Sequence, residues 1–184
     1  MINLMYIVLM AMLALHVSSD VLKGFTLIGE SLKRTTGNAM KENDALYSDF
    51  EAKYKDNPVK VKPWYEKALK VKQMSDSLYN FAGQLRPAIA READGDDADP
   101  DNLQNKEDLE GSNRIMLAPA KGQGDKLYQA ITSFRTRILS YVSDPRQRII
   151  IASNLSTDVP KNENNLGKNW QQYMFQEMPS IAAI

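Results

Sequence analysis

Apolar positions fall into two regimes along the chain. From Leu4 to Val17 the residues read LMYIVLMAMLALHV, without Gly or Pro and without polar spacing. Beyond that run the apolar residues become periodic. Val21, Phe25, Ile28, Leu32, Ala39, Leu46, Phe50 and Tyr54 recur in multiples of three and four, with Thr35 and Glu42 as polar interruptions, which predicts a long amphipathic helix to about Lys55. With no proline before Pro58, the apolar run and this stripe read as one helix. Pro58 and Pro63 punctuate the connection to a second helix, in which Trp64, Ala68, Val71, Leu78, Ala82, Leu85 and Ile89 share a face and Pro87 marks the last turn. A third helix spans 125–144, with Leu127, Ile131, Phe134, Ile138 and Val142 in one stripe, and stops before Pro145. The run from Ile149 to Ala152 is too short for its period to choose helix or strand. Residues 169–178 read as helix again, with Trp170, Met174 and Phe175 on one side. Such stripes are core faces, because each amphipathic helix must bury one side. The fold class expected is all-α: a single N-terminal transmembrane helix over 1–19 that continues into a helical bundle over 20–184.

Charge sharpens this division. Lys+Arg and Asp+Glu are both 23, so the net charge is zero and nucleic acid is not indicated as a partner. Every charged residue lies in 20–184, whereas 15 of the first 19 residues are apolar. Nineteen helical residues rise about 28 Å, close to the hydrocarbon thickness of a bilayer. The residues favour a membrane span over two alternatives, a signal peptide and a buried soluble helix. A signal peptide needs a basic start and a small-x-small cleavage site, and neither is clear around Val17-Ser18-Ser19. Lys23, Lys33 and Arg34 follow the span and no base precedes it, so charge alone leaves the direction of insertion open.

Catalytic chemistry is sparse. There is no Cys and only one His, His16, inside the apolar run, which removes thiolate sites and most zinc or Ser-His arrangements. His16 can titrate within a membrane bundle or reach the headgroup layer. Residues 91–110 hold nine acids and two bases. Asp97, Asp99, Asp101 and Asp108 echo a calcium loop, but Asn102 replaces the turn glycine and Pro100 stiffens the ligand run. The expectation is a solvated, mobile acidic loop whose charges repel, with no metal and no cofactor. Gly24, Gly29 and Gly37 weaken the first long helix, by simple tolerance or because they mark a hinge or a close contact between two copies.

Both ends of the chain carry a resemblance. The opening MINLMYIVLMAMLALHVSSDVLKGFTLIGESL, with its neck Ser18-Ser19-Asp20-Val21-Leu22, resembles the GldM/PorM family, the single-span motor subunit of gliding motility and type IX secretion in Bacteroidetes. The closing NWQQYMFQEMPSIAAI is similar to a segment that leads into a further helix in that family, and the likeness is nearest the PorM branch. The resemblance implies a cytoplasmic N-terminus, a periplasmic bulk, and further domains after this one. It also implies two copies of the first helix inside a ring of a GldL/PorL-like two-span partner, with other type IX secretion components beyond. The ring would supply the proton-carrying carboxylate, since residues 1–19 contain none. Asn3, Met5, Tyr6, Met10, Met12 and His16 are then the expected ring contacts, and Asp20, Phe25, Ile28 and Leu32 the neck and dimer helix. The competing expectation is a membrane-anchored helical sensor for a small ligand; an enzyme lacks any convergent acid, base and nucleophile.

Overall fold

The computed structural model describes residues 2–15, 18–119 and 122–184, and leaves out the side chains of residues 2, 3 and 11–15. The described residues are helical and contain no strand. Helix α1 (Ile2–Leu15) holds the apolar run as far as Leu15. Its 14 residues rise about 21 Å. No helix among the described residues is long and apolar enough to cross a membrane. The expectation of one helix from the apolar run to Lys55 needs correction at Ser18. There the backbone is extended (φ −56°, ψ 136°), and the Ser18 hydroxyl accepts the Asp20 N–H at 3.3 Å, so a new helix α2 (Ser19–Asp56) starts with its own cap.

Helix α2 has 38 residues, and α3 (Pro58–Asp94) has 37, each about 55 Å long. One residue joins them. The Asn57 N–H donates to the Lys53 carbonyl, and its side chain accepts the Lys60 N–H at 3.2 Å, so it closes one helix and opens the next. Pro58 occupies the first position of α3, where its missing N–H costs nothing. The two helices run back along each other as a hairpin. Tyr54 stacks on Tyr65 at 4.7 Å, Phe50 meets the Tyr65 ring edge-on at 5.8 Å, and Lys72 reaches Asp44 at 3.5 Å. Pro63 and Pro87, expected to bound the second helix, both lie inside it. Each deletes one backbone hydrogen bond, which two long packed helices tolerate.

The core sits at the far end of α3. Leu85, Ile89, Met116 and Phe175 form its buried centre, with Phe81, Leu127 and Trp170 packed against it. Four short elements supply the rest: α4 (Glu110–Leu117), α5 (Gly124–Tyr141), α6 (Pro145–Asn154) and α7 (Trp170–Phe175), followed by one turn, α8 (Ser180–Ala183). Burying a Leu, Ile, Met or Phe side chain stabilises by about 1.5–3 kcal/mol, so this cluster dominates the domain. Helix α7 carries a capping box in which Asn169 and Gln172 satisfy each other's backbone N–H groups. Asp144 caps α6 in the same spirit, with Pro145 at the first position.

The acidic segment is largely exposed, as expected, and carries internal hydrogen bonds that the expected charge repulsion did not foresee. Asp94 accepts the N–H groups of Gln104 and Asn105 at 2.6 and 2.7 Å, Asp99 accepts that of Asp101, and Leu103 is almost fully buried. Its carboxylates act as acceptors for backbone donors, which offsets their repulsion.

Candidate functional site

The neck of α2, the acidic segment, the end of α3 and α8 meet at one place. Asp101 is the centre. One carboxylate oxygen accepts Lys33 Nζ of α2 at 2.6 Å, and the other accepts an Arg86 Nη2 of α3 at 2.9 Å. Arg86 Nε donates onward to the Ile184 carbonyl at 3.1 Å. The hydrogen bond from Lys33, then that from Arg86, holds the Asp101 carboxyl below its ordinary pKa. Nearer the start of α2, Lys106 Nζ donates to Thr26 Oγ1 at 3.4 Å.

A second, buried set fixes the C-terminal segment. Asp108 accepts Ser180 Oγ at 2.9 Å and the Gly111 N–H at 2.7 Å, while its carbonyl accepts the Ser180 N–H at 2.7 Å. Ser112 Oγ, fully buried, lies 2.8 Å from the Met178 carbonyl, to which it donates. These bonds hold the turn at Glu177, whose φ of 56° is left-handed and costly for a residue with a Cβ. Gly111 has no room for a side chain: a Cβ would lie 2.8 Å from both Asp108 Oδ2 and Ser180 Oγ. The entry helix of the domain is thus tied to its last segment by an exposed charge relay, and α4 with the turn before it is tied to that segment by a buried hydroxyl clamp.

Of the expected membrane-side contacts, only the side chains of Met5, Tyr6 and Met10 are among those described. Met5, Tyr6 and Met10 are exposed on α1, at 75%, 63% and 52%. Positions 3, 6 and 10 share one side of that helix, and 5 and 12 lie opposite. The side chains of Asn3 and Met12, and all of His16, lie outside the described residues. On α2, Asp20 is exposed in the first turn and Phe25 is half-buried. Ile28 and Leu32 remain exposed at 57% and 62%, so their stripe is uncovered.

The family model of the GldM N-terminal domain matches residues 20–184. The chain belongs to the GldM family. It thereby falls among the motor subunits of gliding motility and type IX secretion. No curated protein matches it.

Within this GldM-family domain, periodicity found the neck stripe but missed the polar linkage. Lys33, Arg86, Asp101, Asp108 and Ser180 carry that linkage, and only the acidic excess of 91–110 hinted at it. Helix α4 also went unread, because Gly111, Ser112 and Asn113 look like loop. Among the described residues no cluster of His, Asp and Glu could hold a metal ion. The domain has a cleft of about 580 Å³ lined by Asn113, Asp125, Asn169, Gln171 and Gln176. Asn113 Oδ1 is buried there without a hydrogen-bond partner, while Gln171 donates to Asp125. Its polar lining is mostly amide, beside Asp125 and Arg114, and Met116, Leu117, Ala118 and Pro119 supply an apolar wall.

Proposed function

We propose that the chain is a non-enzymatic inner-membrane subunit of the type IX secretion motor, acting as half of an axle. Residues 1–19 span the membrane once, with the N-terminus cytoplasmic and residues 20–184 periplasmic. Two copies pair in parallel, enclosed by a ring of a GldL/PorL-like two-span partner. Protons cross on a ring carboxylate, because residues 1–19 contain no Asp or Glu. The resulting torque leaves through α2 and the C-terminal segment toward other secretion components.

The observation that carries this reading is apolar surface left uncovered on both leading helices. On α1, Leu4 to Met10 are 48–75% exposed, and α2 continues with Val21, Ile28 and Leu32 at 49%, 57% and 62%. An apolar stripe at helical spacing on an entry helix is stabilised by a second copy of itself. The Lys33–Asp101–Arg86 relay supports the mechanical part, since it joins the entry helix to the exit segment. The alternative of a ligand sensor draws its support from the cleft beside Asp125, into which the unpartnered Asn113 Oδ1 is buried.

Leu32→Cys tests the axle in a chain without other cysteines. The expected outcome is a disulfide-linked dimer in membranes, together with co-purification of a two-span partner. Correct insertion without crosslinking and without such a partner would favour the sensor.

A further inference from the structure

The tip of the α2–α3 hairpin lies at the opposite end of α3 from the core, and its surface differs from that of the rest of the chain. Val59 is 92% exposed and Trp64 is 63% exposed. Trp64, with Phe50 and Val61, borders a groove of about 440 Å³, which Lys53 and Lys60 flank and to which Asp56 is the single acidic contributor. A solitary exposed apolar residue means little. An exposed Trp beside a groove floored by Phe and Val is the composition of an interface centre.

Charge narrows the partner. At the tip Lys53, Lys60 and Lys67 stand around the groove against Asp56, while Lys55 and Lys62 are paired with Glu51 and Glu66. The acidic surplus of 91–110 lies at the other end of α3, where Asp101 and Asp108 already hold partners. Lys53, Lys60 and Lys67 therefore keep a local positive field at the groove for another molecule. There is no Arg between Arg34 and Arg86, so the surface lacks the guanidinium fork that grips phosphate. Lysines supply point charges suited to carboxylates, and Lys67 Nζ stands 5.0 Å from the Trp64 ring centroid.

The tip is also held ready. Asn57 caps both helices, Pro58 fixes the turn, and the Phe50–Tyr65–Tyr54 cluster braces it from within. A partner binding here has little loop entropy to suppress.

We propose that the hairpin tip docks an acidic polypeptide segment bearing one or two apolar side chains. The apolar side chain seats against Phe50, Val61 and Trp64, and the flanking carboxylates meet Lys53 and Lys60. The inference stands on the hairpin itself and does not depend on the motor mechanism.

The test uses the full chain in detergent. The probes are a fluorescein-labelled peptide of Glu and Asp around a central Leu-Phe pair, and the same peptide with Ser-Ser at its centre. The expected result is saturable binding of the first, weakened by salt, with at least about tenfold loss for the Ser-Ser peptide and for Trp64→Ala. Lys60→Glu should lower affinity by a similar factor. Both side chains are exposed, and unchanged helicity by circular dichroism would establish that the variants fold. Equal binding of the two peptides, or indifference to Trp64→Ala, would overturn the proposal. So would a spontaneous disulfide in Val59→Cys, which would assign the tip to a second copy. Trp64-dependent sedimentation with insoluble peptidoglycan, without peptide binding, would assign it to a polysaccharide instead.

Discussion

Asp101 illustrates how one exposed carboxylate can join three elements at small energetic cost. Its side chain is half exposed, and so are those of its partners, so water screens both pairs. Asp101→Asn is expected to cost at most about 1 kcal/mol, a fall of about 3 °C in melting temperature for a domain of this size. The pH dependence follows from the direction of the shift. Because the pairing lowers the folded-state pKa, the contribution is in place at neutral pH. It is lost on acidification, as the carboxylate is protonated through its folded pKa below the ordinary carboxylate range. A melting series from pH 6 downward should therefore show wild type and Asp101→Asn converging. Parallel curves at every pH would show that the pairs contribute no stability.

At the scale of elements, the helices were legible where one face alternates with solvent over many turns. The α3 stripe from Ala68 through Leu85 to Ile89 is half-buried or buried as its spacing demands, and α5 follows suit. Trp64 departs from that stripe because it lies at the tip, past the reach of the core. The failures have a common cause. Ser112 and Ser180 are polar and read as surface, yet both are wholly buried, because their hydroxyls find Met178 and Asp108 far along the sequence. Such pairing leaves no local periodicity. The break at Ser18 was hidden for the opposite reason: apolar spacing continues across it, while the capping hydrogen bond is local and needs only a serine. The glycines of α2 yield a prediction at this scale. A Cβ at Gly24, Gly29 or Gly37 meets nothing within 4 Å in the single chain. Gly29→Ala should stabilise the helix by about 1 kcal/mol. Unfolding by urea would measure the gain, and crosslinking at Leu32→Cys in the same background would show whether a partner helix approaches Gly29 too closely for a methyl group.

The molecule as a whole divides into a braced core and a long, thinly covered arm. None of the α2 residues is buried, and in α3 only Leu85, Ile89 and Ala90 are. Cooperative protection against hydrogen exchange follows buried contacts. Amides of 85–90 and 112–116 should exchange slowest, and those of 40–70 fastest among the long helices, when followed by mass spectrometry. Uniform protection along α2 would mean that its exposed stripe is covered in the assembled protein, as the paired-axle reading requires. The experiment thus separates the isolated chain from the dimer.

The place of Phe175 and Ser180 in the structure also sets an order in time. A chain emerges from synthesis with its N-terminus first, so α2 and α3 are complete while Leu85, Ile89 and Met116 still lack their cover. The clamp on Asp108 and the lid on Met116 arrive only with residues 170–184. Until then Gly111 guards an empty slot, and the apolar end of α3 around Leu85 and Ile89 faces water. The domain is therefore most exposed to aggregation before residues 170–184 have emerged to cover this core.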